Sequence, residues 1–305
     1  MTAHREHPRD TLTRKATPMA LNSSTGAAIL SAEQIAALVV QPLITSSVAM
    51  VTSTVVQTDS HSMRFPVVVS DPDTAWVPEG AEIPVSDPDV DEVVVTPSGL
   101  KGLTVVSNEL VADSDPSALD VVGQGLVRDL RTKLDAAWLG DTVTNGPNGL
   151  ESLTGVTETT LNFDGSLDVI AEAVSLAENA GAPTIHPVDG LPNFSLVANP
   201  VDVLALSTAK VSTDSNQPLL GVDATAVTGR SALGVRIHSA PACAQGTAWL
   251  IPRDRVFVVL RNDPEVVADP SPFFSSYRTA IRAVLRVGFA FPHEAAVVRV
   301  GMEGS

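Results

Sequence analysis

The sequence predicts an α+β protein with one long helix, several short helices and many strands. Of its 305 residues, 44% are hydrophobic, which suffices for a sizeable core. Residues 115–140 carry apolar side chains at helical spacing, whereas the last third of the chain is rich in Val, Ile and Phe, which favour strands. The order of these segments predicts that the outer parts of the fold come from both ends of the chain.

The N-terminal region predicts an arm followed by a short helix. Residues 1–30 are polar, rich in Ser and Thr and without periodicity, so we expect them to be mobile. Ser31 then offers an N-cap for a short apolar helix that ends before Pro42. The N-terminus lacks the continuous apolar region of a secretory signal, and no run of 18 apolar residues occurs, which predicts a cytoplasmic protein without a membrane span.

Two Val-rich segments predict the arms of a long hairpin. The first contains FPVVV at 65–69, and the second is DEVVVTPSGLKGLTVVS at 91–107. Between them lies the acidic segment TAWVPEGAEIPVSDPD at 74–89, in which prolines interrupt any regular structure. We therefore expect an extended loop supported by two strands.

The clearest helix prediction begins near Asp115 and ends at Gly140. Asp115 can cap the helix, and Pro116 fits its first turn. Apolar side chains recur along one side of it at Leu119, Val122, Leu126, Leu130, Leu134 and Trp138. We expect a long helix with a single buried face.

Two shorter helices are predicted in the middle of the chain. Ser166 caps the first, whose apolar stripe is Leu167, Ile170, Val174 and Ala177. Asn199 and Pro200 begin the second.

The last third predicts strands in GVRIHS at 234–239, TAWLIP at 247–252, RVFVVLRND at 255–263 and YRTAIRAVLRVGFAFP at 277–292. In the last of these, Arg278, Arg282 and Arg286 are four residues apart, a spacing that fits one face of a strand or of a helix.

The sequence offers no residue set for catalysis or for binding a metal or cofactor. None of the six histidines pairs with another at the i, i+4 spacing of a helical metal site, and Cys243 is the only cysteine. Neither a Gly-x-Ser-x-Gly motif nor a glycine-rich phosphate loop occurs. We expect a protein that is not an enzyme and has no cofactor; a hydrolase with an unrecognised site is kept as a hypothesis from another class.

The charge of the chain is strongly negative and unevenly placed. The formal net charge is −16, and residues 71–115 contain eleven acidic side chains against one base, Lys101. Because affinity for nucleic acid comes mainly from Lys and Arg, this balance argues against specific DNA or RNA binding.

Trp76 lies within this acidic segment. Burying a tryptophan yields roughly 4–6 kcal/mol, whereas ordering one backbone residue costs about 1–2 kcal/mol, so Trp76 alone cannot fix a loop of about 25 residues. The loop is either mobile or held along another surface. Pro78, Pro84 and Pro88 favour the second alternative, since they restrict the free loop.

The surface that receives an acidic loop should be basic. Residues 253–299 contain seven arginines and five acidic residues, and arginine suits contacts with carboxylates. We hypothesise that the loop of one copy lies across the Arg-bearing strands of a neighbour, in a head-to-tail contact that can close into rings. The alternative is a solvated loop whose tryptophan folds back on its own domain. The candidate contact residues are Trp76, Glu79, Glu82, Arg278, Arg282 and Arg286.

Several motifs occur in an order that is characteristic of one family. A Trp-x-x-Glu-Gly loop at 76–80 precedes a strand ending in Val-Ser-Asn-Glu-Leu at 106–110 and a long helix ending in Leu-Gly at 139–140. The pattern continues through NGPNGLESL, ANPVDVLAL, QPLLG and SSYRTAIRAVLRVGFAFPHEAAVVRV. Over about residues 60–300, this order resembles the major capsid protein of tailed bacteriophages, with the Hong Kong 97-type fold.

The resemblance implies an N-terminal arm, an extended loop that overlies a neighbouring subunit, a peripheral domain with a long spine helix, and an axial domain. The corresponding ranges are 1–62 for the arm, 63–100 for the loop, 101–150 with 255–292 for the peripheral domain, and 151–254 with 293–305 for the axial domain.

The implied function is a major capsid protein that self-assembles, as hexamers and pentamers, into an icosahedral shell around double-stranded DNA. It implies a virion protein assembled in the bacterial host cytoplasm, with scaffolding, portal or decoration proteins as further partners. The alternative is an encapsulin-like shell that binds an enzyme cargo.

Two departures from relatives limit what the resemblance implies. Some relatives link neighbours by an isopeptide bond from a lysine in the extended loop, but residues 63–100 contain no lysine. Some begin with a long helical scaffold domain, whereas this arm is short and lacks heptads. We expect a shell without that covalent link, with scaffolding either separate or not needed.

Overall fold

The computed structural model describes residues 45–70, 74–80, 82, 84–85, 87, 89–109, 118–212, 215–220, 230–261 and 265–302. The predicted arm, the helix capped by Ser31 and the cap residues Asp115 and Pro116 lie outside these residues.

Within them, the helices are α1 (Val48–Thr52), α2 (Ala118–Leu139), α3 (Asp168–Asn179) and α4 (Pro200–Thr208). The strands are β1 (Thr54–Thr58), β2 (Met63–Ser70), β3 (Asp89–Val95), β4 (Ser98–Ser107), β5 (Thr157–Asn162), β6 (Phe194–Ala198), β7 (Ser231–Ala232), β8 (Val235–Ser239), β9 (Thr247–Pro252), β10 (Phe257–Arg261), β11 (Glu265–Asp269), β12 (Arg278–Ala290) and β13 (Val298–Gly301).

The long strand β12 organises a five-stranded sheet. It pairs antiparallel with β4, with β11 and with β10, and β10 also pairs in parallel with β1. The β4 pairing runs from Ser107 opposite Arg278 to Ser98 opposite Val287. Because the sequence left a helix or a strand open for 277–292, the structure resolves that choice in favour of a strand.

Helix α2 packs along one face of this sheet, as the apolar stripe predicts. Leu130, Leu134 and Trp138 are buried, and Leu134 and Trp138 share a core cluster with Leu285 of β12. Gly102 of β4 lies under the helix, where a Cβ atom would come within 3.1 Å of a methyl group of Leu126. This face of the sheet is therefore covered.

A second sheet has six strands in the order β5-β13-β9-β6-β8-β7. Helices α3 and α4 pack against it through Ile170, Ala177 and Leu206, which share a core cluster with its strands. Asn199 caps α4 by accepting a hydrogen bond from the Val201 N–H.

The Ser166 prediction needs a small correction. Leu167 occupies the N-cap position of α3 without a side-chain cap, because the helix begins one residue later than the cap prediction requires. The Ser166 hydroxyl still accepts a 3.3 Å hydrogen bond from the Asp168 N–H.

Strands β2 and β3 form the predicted hairpin, in which the pairing runs from Met63 opposite Val95 to Ser70 opposite Asp89. The segment at 91–107, expected to continue as one arm, divides into β3 and β4 around Thr96 and Pro97, since proline has no N–H for a continuous ladder. Phe65 and Val95 anchor the hairpin base in a cluster with Val259 and Ala290. The hairpin is thus held at its base.

Candidate assembly interface

The acidic segment carries an uncovered tryptophan. Trp76 has a relative exposure of 105%, so no described part of its own subunit shields the indole. Glu79 and Glu82 are also exposed. Gly80 adopts a φ of 85° in a turn, a left-handed conformation that favours glycine.

The hairpin places this segment away from the body of the subunit. Strand β2 has eight residues, which at about 3.4 Å per residue extends roughly 27 Å from the hairpin base. Arg64 is the only basic residue in the range 63–100, and its guanidinium group already pairs with the Glu92 carboxylate at 2.7 Å. The carboxylates near the far end therefore have no cationic side chain within the hairpin to neutralise them.

Arg278, Arg282 and Arg286 lie on one face of β12 and are exposed. Side chains alternate along a strand, so these arginines point away from α2, which covers the opposite face at Ile281. Residues four apart in a strand are separated by about 13 Å, so the three guanidinium groups are spread along an open surface.

Strand β4 extends this surface. Opposite the arginines and between them lie Lys101, Leu103 and Val105, all exposed on the same side of the ladder. We call this surface the basic face, and its members are Lys101, Leu103, Val105, Arg278, Arg282 and Arg286.

Two carboxylates border the basic face on β11. Glu265 pairs with Val284 and Asp269 with Ala280, which places both on the arginine side of the sheet. Hydrogen bonds from the Ser271 hydroxyl and N–H hold the pKa of Asp269 below its usual range, and the Arg282 charge adds to that shift. Four bases against two acids leave the face net positive.

The structure does not bring the two predicted sets of residues together within one subunit. Among the described residues, no ion pair joins Glu79 or Glu82 to an arginine of the basic face. An ion pair between the two sets would therefore require a second copy of the chain.

Two exposed apolar patches were not predicted. Phe274 and Tyr277, at the turn between β11 and β12, are 86% and 61% exposed, and Tyr277 has a left-handed φ of 51°. In the loop between α3 and β6, Ile185, Val188 and Leu191 are exposed. The aromatic residues within DPSPFFSSYR, a segment otherwise typical of a turn, were the signal that could have indicated the first patch.

The described residues contain no activated nucleophile or metal cluster. Burial, followed by the nearby carboxylates Asp202 and Glu151, raises the pKa of the Cys243 thiol to about 12. Burial, followed by a neighbouring arginine charge, lowers the pKa of His238 and of His293. No group of three His, Cys, Asp or Glu side chains is arranged to hold a metal ion in this part of the chain.

No helix in the described ranges combines the length and apolar character needed to cross a bilayer.

Comparison with known proteins gives a consistent picture. The sequence model described as the phage capsid family matches residues 27–301. Among curated proteins, none matches the chain.

Solved structures resemble the fold at low sequence identity. The capsid of a native GTA particle is 19% identical, with a TM-score of 0.63 over 82% of this chain and 88% of that chain. A chain of Microbacterium phage Oxtober96 is 15% identical, with a TM-score of 0.65 over 84% and 90%. A virus-like particle from Pyrococcus furiosus is 14% identical, with a TM-score of 0.59 over 88% and 98%. These likenesses confirm the expected Hong Kong 97-type α+β fold.

Proposed function

Since the chain belongs to the phage capsid family and is a capsid shell protein, we propose that it forms hexamers and pentamers of an icosahedral shell enclosing double-stranded DNA. The observation that supports this proposal is the pairing of two surfaces on each subunit. One is an acidic segment with an exposed tryptophan, and the other is the basic face, whose arginines no described element covers.

The contact would run between copies. The segment of one subunit that carries Trp76, Glu79 and Glu82 would dock along the edge of the next subunit's basic face, with Arg282 and Arg286 as the central cations. Because the two surfaces differ, the contact is head-to-tail and can repeat around a closed ring. Opposite net charges on the two surfaces favour this register over a contact between two acidic segments.

The division into domains is part of the same proposal. We assign residues 1–62 to an arm, 63–100 to the extended loop, 101–150 with 255–292 to a peripheral domain, and 151–254 with 293–305 to an axial domain. The division is supported by the two separate sheets, since β4 and β12 belong to one and β5, β6, β8 and β9 to the other.

The negative net charge suits a container for DNA. A like-charged wall lets packed DNA lie against it without specific binding, so no sequence recognition is expected. Assembly would occur in the host cytoplasm, with a scaffolding or portal protein as a separate partner. No isopeptide link from the loop is expected, because residues 63–100 lack lysine.

Electron microscopy of the purified protein tests this function. We expect closed shells of uniform diameter, and double-stranded DNA inside particles recovered from infected cells. Failure of the protein to form any closed particle, with or without co-expressed scaffolding protein, would contradict the proposal.

A second candidate function is a compartment that holds protein cargo. The observation that favours it is the likeness to the virus-like particle from Pyrococcus furiosus, over 98% of that chain. The contents of native particles separate the two candidates: a nuclease-sensitive nucleic acid supports the virion, and a stoichiometric second protein without nucleic acid supports the compartment.

A further inference from the structure

A mainly apolar pocket lies beside the base of the hairpin. It has a volume of about 410 Å³ and is lined by the second half of α2, the start of β4 and the loop at 143–147. We call it the α2 pocket. Its carbon-rich walls come from Leu100, Leu134, Ala137, Val143, Pro147 and Val287.

The walls of the α2 pocket are held in place by the backbone. The loop closes through a turn in which the Gly146 N–H donates to the Val143 carbonyl at 2.9 Å. Thr142 and Asn148 form a bridge across the base of the loop, and the Gly149 N–H donates to the Asp141 main-chain carbonyl at 3.1 Å. Leu134 is 99% shielded within the core, so that wall is fixed as well. The pocket is therefore preformed.

We infer that the α2 pocket of one subunit receives the Trp76 side chain of a neighbouring copy. The inference rests on the proposed function, since it specifies where the extended loop docks. No described residue covers Trp76 in its own subunit, and tryptophan is among the residues enriched at interface hot spots, which lie in well-packed, desolvated pockets. The cavity of about 410 Å³ falls within the roughly 300–1,000 Å³ range of sites that bury a large apolar group.

Charge also matches across this contact. Lys133 lines the α2 pocket, its side chain is 61% exposed, and its only described ion pair is a 3.5 Å contact with Asp129. Glu79 follows Trp76 by three residues and is exposed. An aromatic group with a nearby carboxylate thus meets an apolar pocket with a nearby ammonium group.

The geometry explains why the donor is a second copy. Ser98 and Gly99 line the α2 pocket and follow the hairpin base directly, whereas Trp76 belongs to the segment that follows the far end of β2, a strand roughly 27 Å long. Trp76 cannot enter its own pocket without folding the hairpin back. Each subunit therefore donates one tryptophan and receives one, which is a head-to-tail contact.

A segment docked in the α2 pocket also reaches the basic face. Among the described strands β4 pairs only with β12, so its other edge is free at Gly99. Gly99 stands opposite Arg286 in the ladder. A segment whose Trp76 occupies the α2 pocket crosses this edge and brings Glu82 toward Arg286.

Disulfide trapping tests the docking directly. Ala75 and Thr144 are exposed neighbours of the two surfaces, and the native Cys243 is buried. In assembled Ala75→Cys/Thr144→Cys protein, mild oxidation should give a ladder of covalent oligomers on a non-reducing gel, because the two Cβ atoms approach the roughly 3.5–4.5 Å that a disulfide needs. The single variants should give no ladder. The pair Ala75→Cys/Thr208→Cys should also give no ladder, because its second cysteine lies at an exposed position of α4, away from the α2 pocket.

The outcomes separate this inference from the proposed function. Shells that form normally but give no ladder overturn the docking of Trp76 and leave the shell intact. A ladder from Phe274→Cys/Thr144→Cys, with none from the Ala75 pair, assigns the pocket to the other exposed aromatic side chain and also overturns it. Absence of any oligomer from the unmodified protein overturns both proposals.

Substitution of the tryptophan gives an independent readout. Trp76→Ala should raise the subunit concentration at half assembly by about tenfold or more, whereas Trp76→Phe should keep most of the contact. Trp138 and Trp249 are buried in the free subunit, so a blue shift of emission on assembly reports Trp76. An unchanged emission maximum in shells that assemble normally contradicts the inference.

Discussion

At the scale of single residues, Asp135 connects the start of the described chain to α2. Its side chain is buried and accepts hydrogen bonds from the Ser47 hydroxyl at 2.6 Å and from the Ala49 N–H at 3.1 Å. Arg131 approaches the same carboxylate at 3.8 Å. This carboxylate therefore accepts one N–H of the first turn of α1 and positions the Ser47 hydroxyl, which accepts a second from Met50.

We predict that Asp135→Ala lowers the free energy of unfolding by about 1–3 kcal/mol, because it leaves two buried donors without an acceptor. The matched control is Asp129→Ala on the same helix. Its carboxylate is exposed and forms a 3.5 Å ion pair with Lys133, so its loss should cost less than about 1 kcal/mol. Urea unfolding of the unassembled subunit measures both, and equal losses would contradict the role given to Asp135.

Glu172 has a comparable role in the second sheet. Its carboxylate accepts hydrogen bonds from the Thr160 hydroxyl, the Thr160 N–H and the Leu161 N–H, and so ties α3 to β5. The Thr160 hydroxyl is the largest cause of the lowered pKa of this carboxyl group.

A carboxyl group whose pKa is lower in the folded state stabilises the fold above its unfolded pKa and loses that contribution as the pH falls through the folded pKa. We predict that Glu172→Gln unfolds more easily than the parent at about pH 6, and that the difference disappears toward about pH 3. Thermal unfolding across this range measures it, with Glu109→Gln as an exposed control. A difference that stays constant with pH would argue against the titration.

At the scale of elements, the hairpin depends on one glycine beneath its base. A Cβ atom at Gly288 of β12 would lie 2.5 Å from a methyl group of Val95. The absence of a side chain at this position lets β3 lie directly on β12.

We expect Gly288→Ala to destabilise the hairpin base by about 1–3 kcal/mol through overpacking and to reduce assembly, since the extended loop is re-aimed. Val95→Ala removes the clashing methyl group, so the double variant should recover assembly. Shell yield by sedimentation measures this. A double variant no better than Gly288→Ala alone would mean that the clash is not the cause.

The elements were predictable where periodicity and caps are strong. The stripe ending in Leu134 and Trp138 located α2, and Asn199 with Pro200 located the start of α4. Periodicity could not decide whether residues 277–292 form a helix or a strand, because arginines four residues apart lie on one face in both. The hydrogen-bonded ladder with β4 shows that this segment is the strand β12. The break at Pro97 also needed the structure.

The candidate interface was predictable in composition but not in shape. The acidic balance of the loop and the arginines of the last third pointed to Glu79, Glu82 and the three arginines, and the isolated aromatic side chain pointed to Trp76; the docking of these residues on a neighbour stays a prediction. Lys101 and Leu103 join the arginines only through strand pairing across 179 residues between Leu103 and Arg282, which no local pattern indicates. The α2 pocket likewise arises from segments that are distant in sequence.

At the scale of the whole molecule, the proposed function depends on many copies joined by two complementary surfaces. Among the described residues, no ion pair within one subunit joins the acidic segment to the basic face. The proposal implies that contacts repeated throughout the shell stabilise each extended loop.

Reversing charge on the basic face should impair assembly without unfolding the subunit. We predict that Arg282→Glu/Arg286→Glu raises the subunit concentration at half assembly about tenfold, because attraction to the acidic segment becomes repulsion. Added salt should weaken assembly of the parent and lessen the defect, since exposed charges are screened. Arg236→Glu, on the exposed side of β8, is the matched control. Light scattering over a concentration series measures all three proteins, and a control as defective as the double variant would count against the basic face.

The most direct test removes the extended segment and leaves the hairpin that carries it. Ser70 and Asp89 pair at the end of the ladder, so residues 71–88 can be replaced by Asn-Gly, which closes a two-residue turn. Electron microscopy and thermal unfolding of this variant then read assembly and folding separately. We predict a subunit that folds like the parent but forms no closed shells; shells of normal size and stability from the shortened chain would contradict the central claim that the segment joins neighbouring copies.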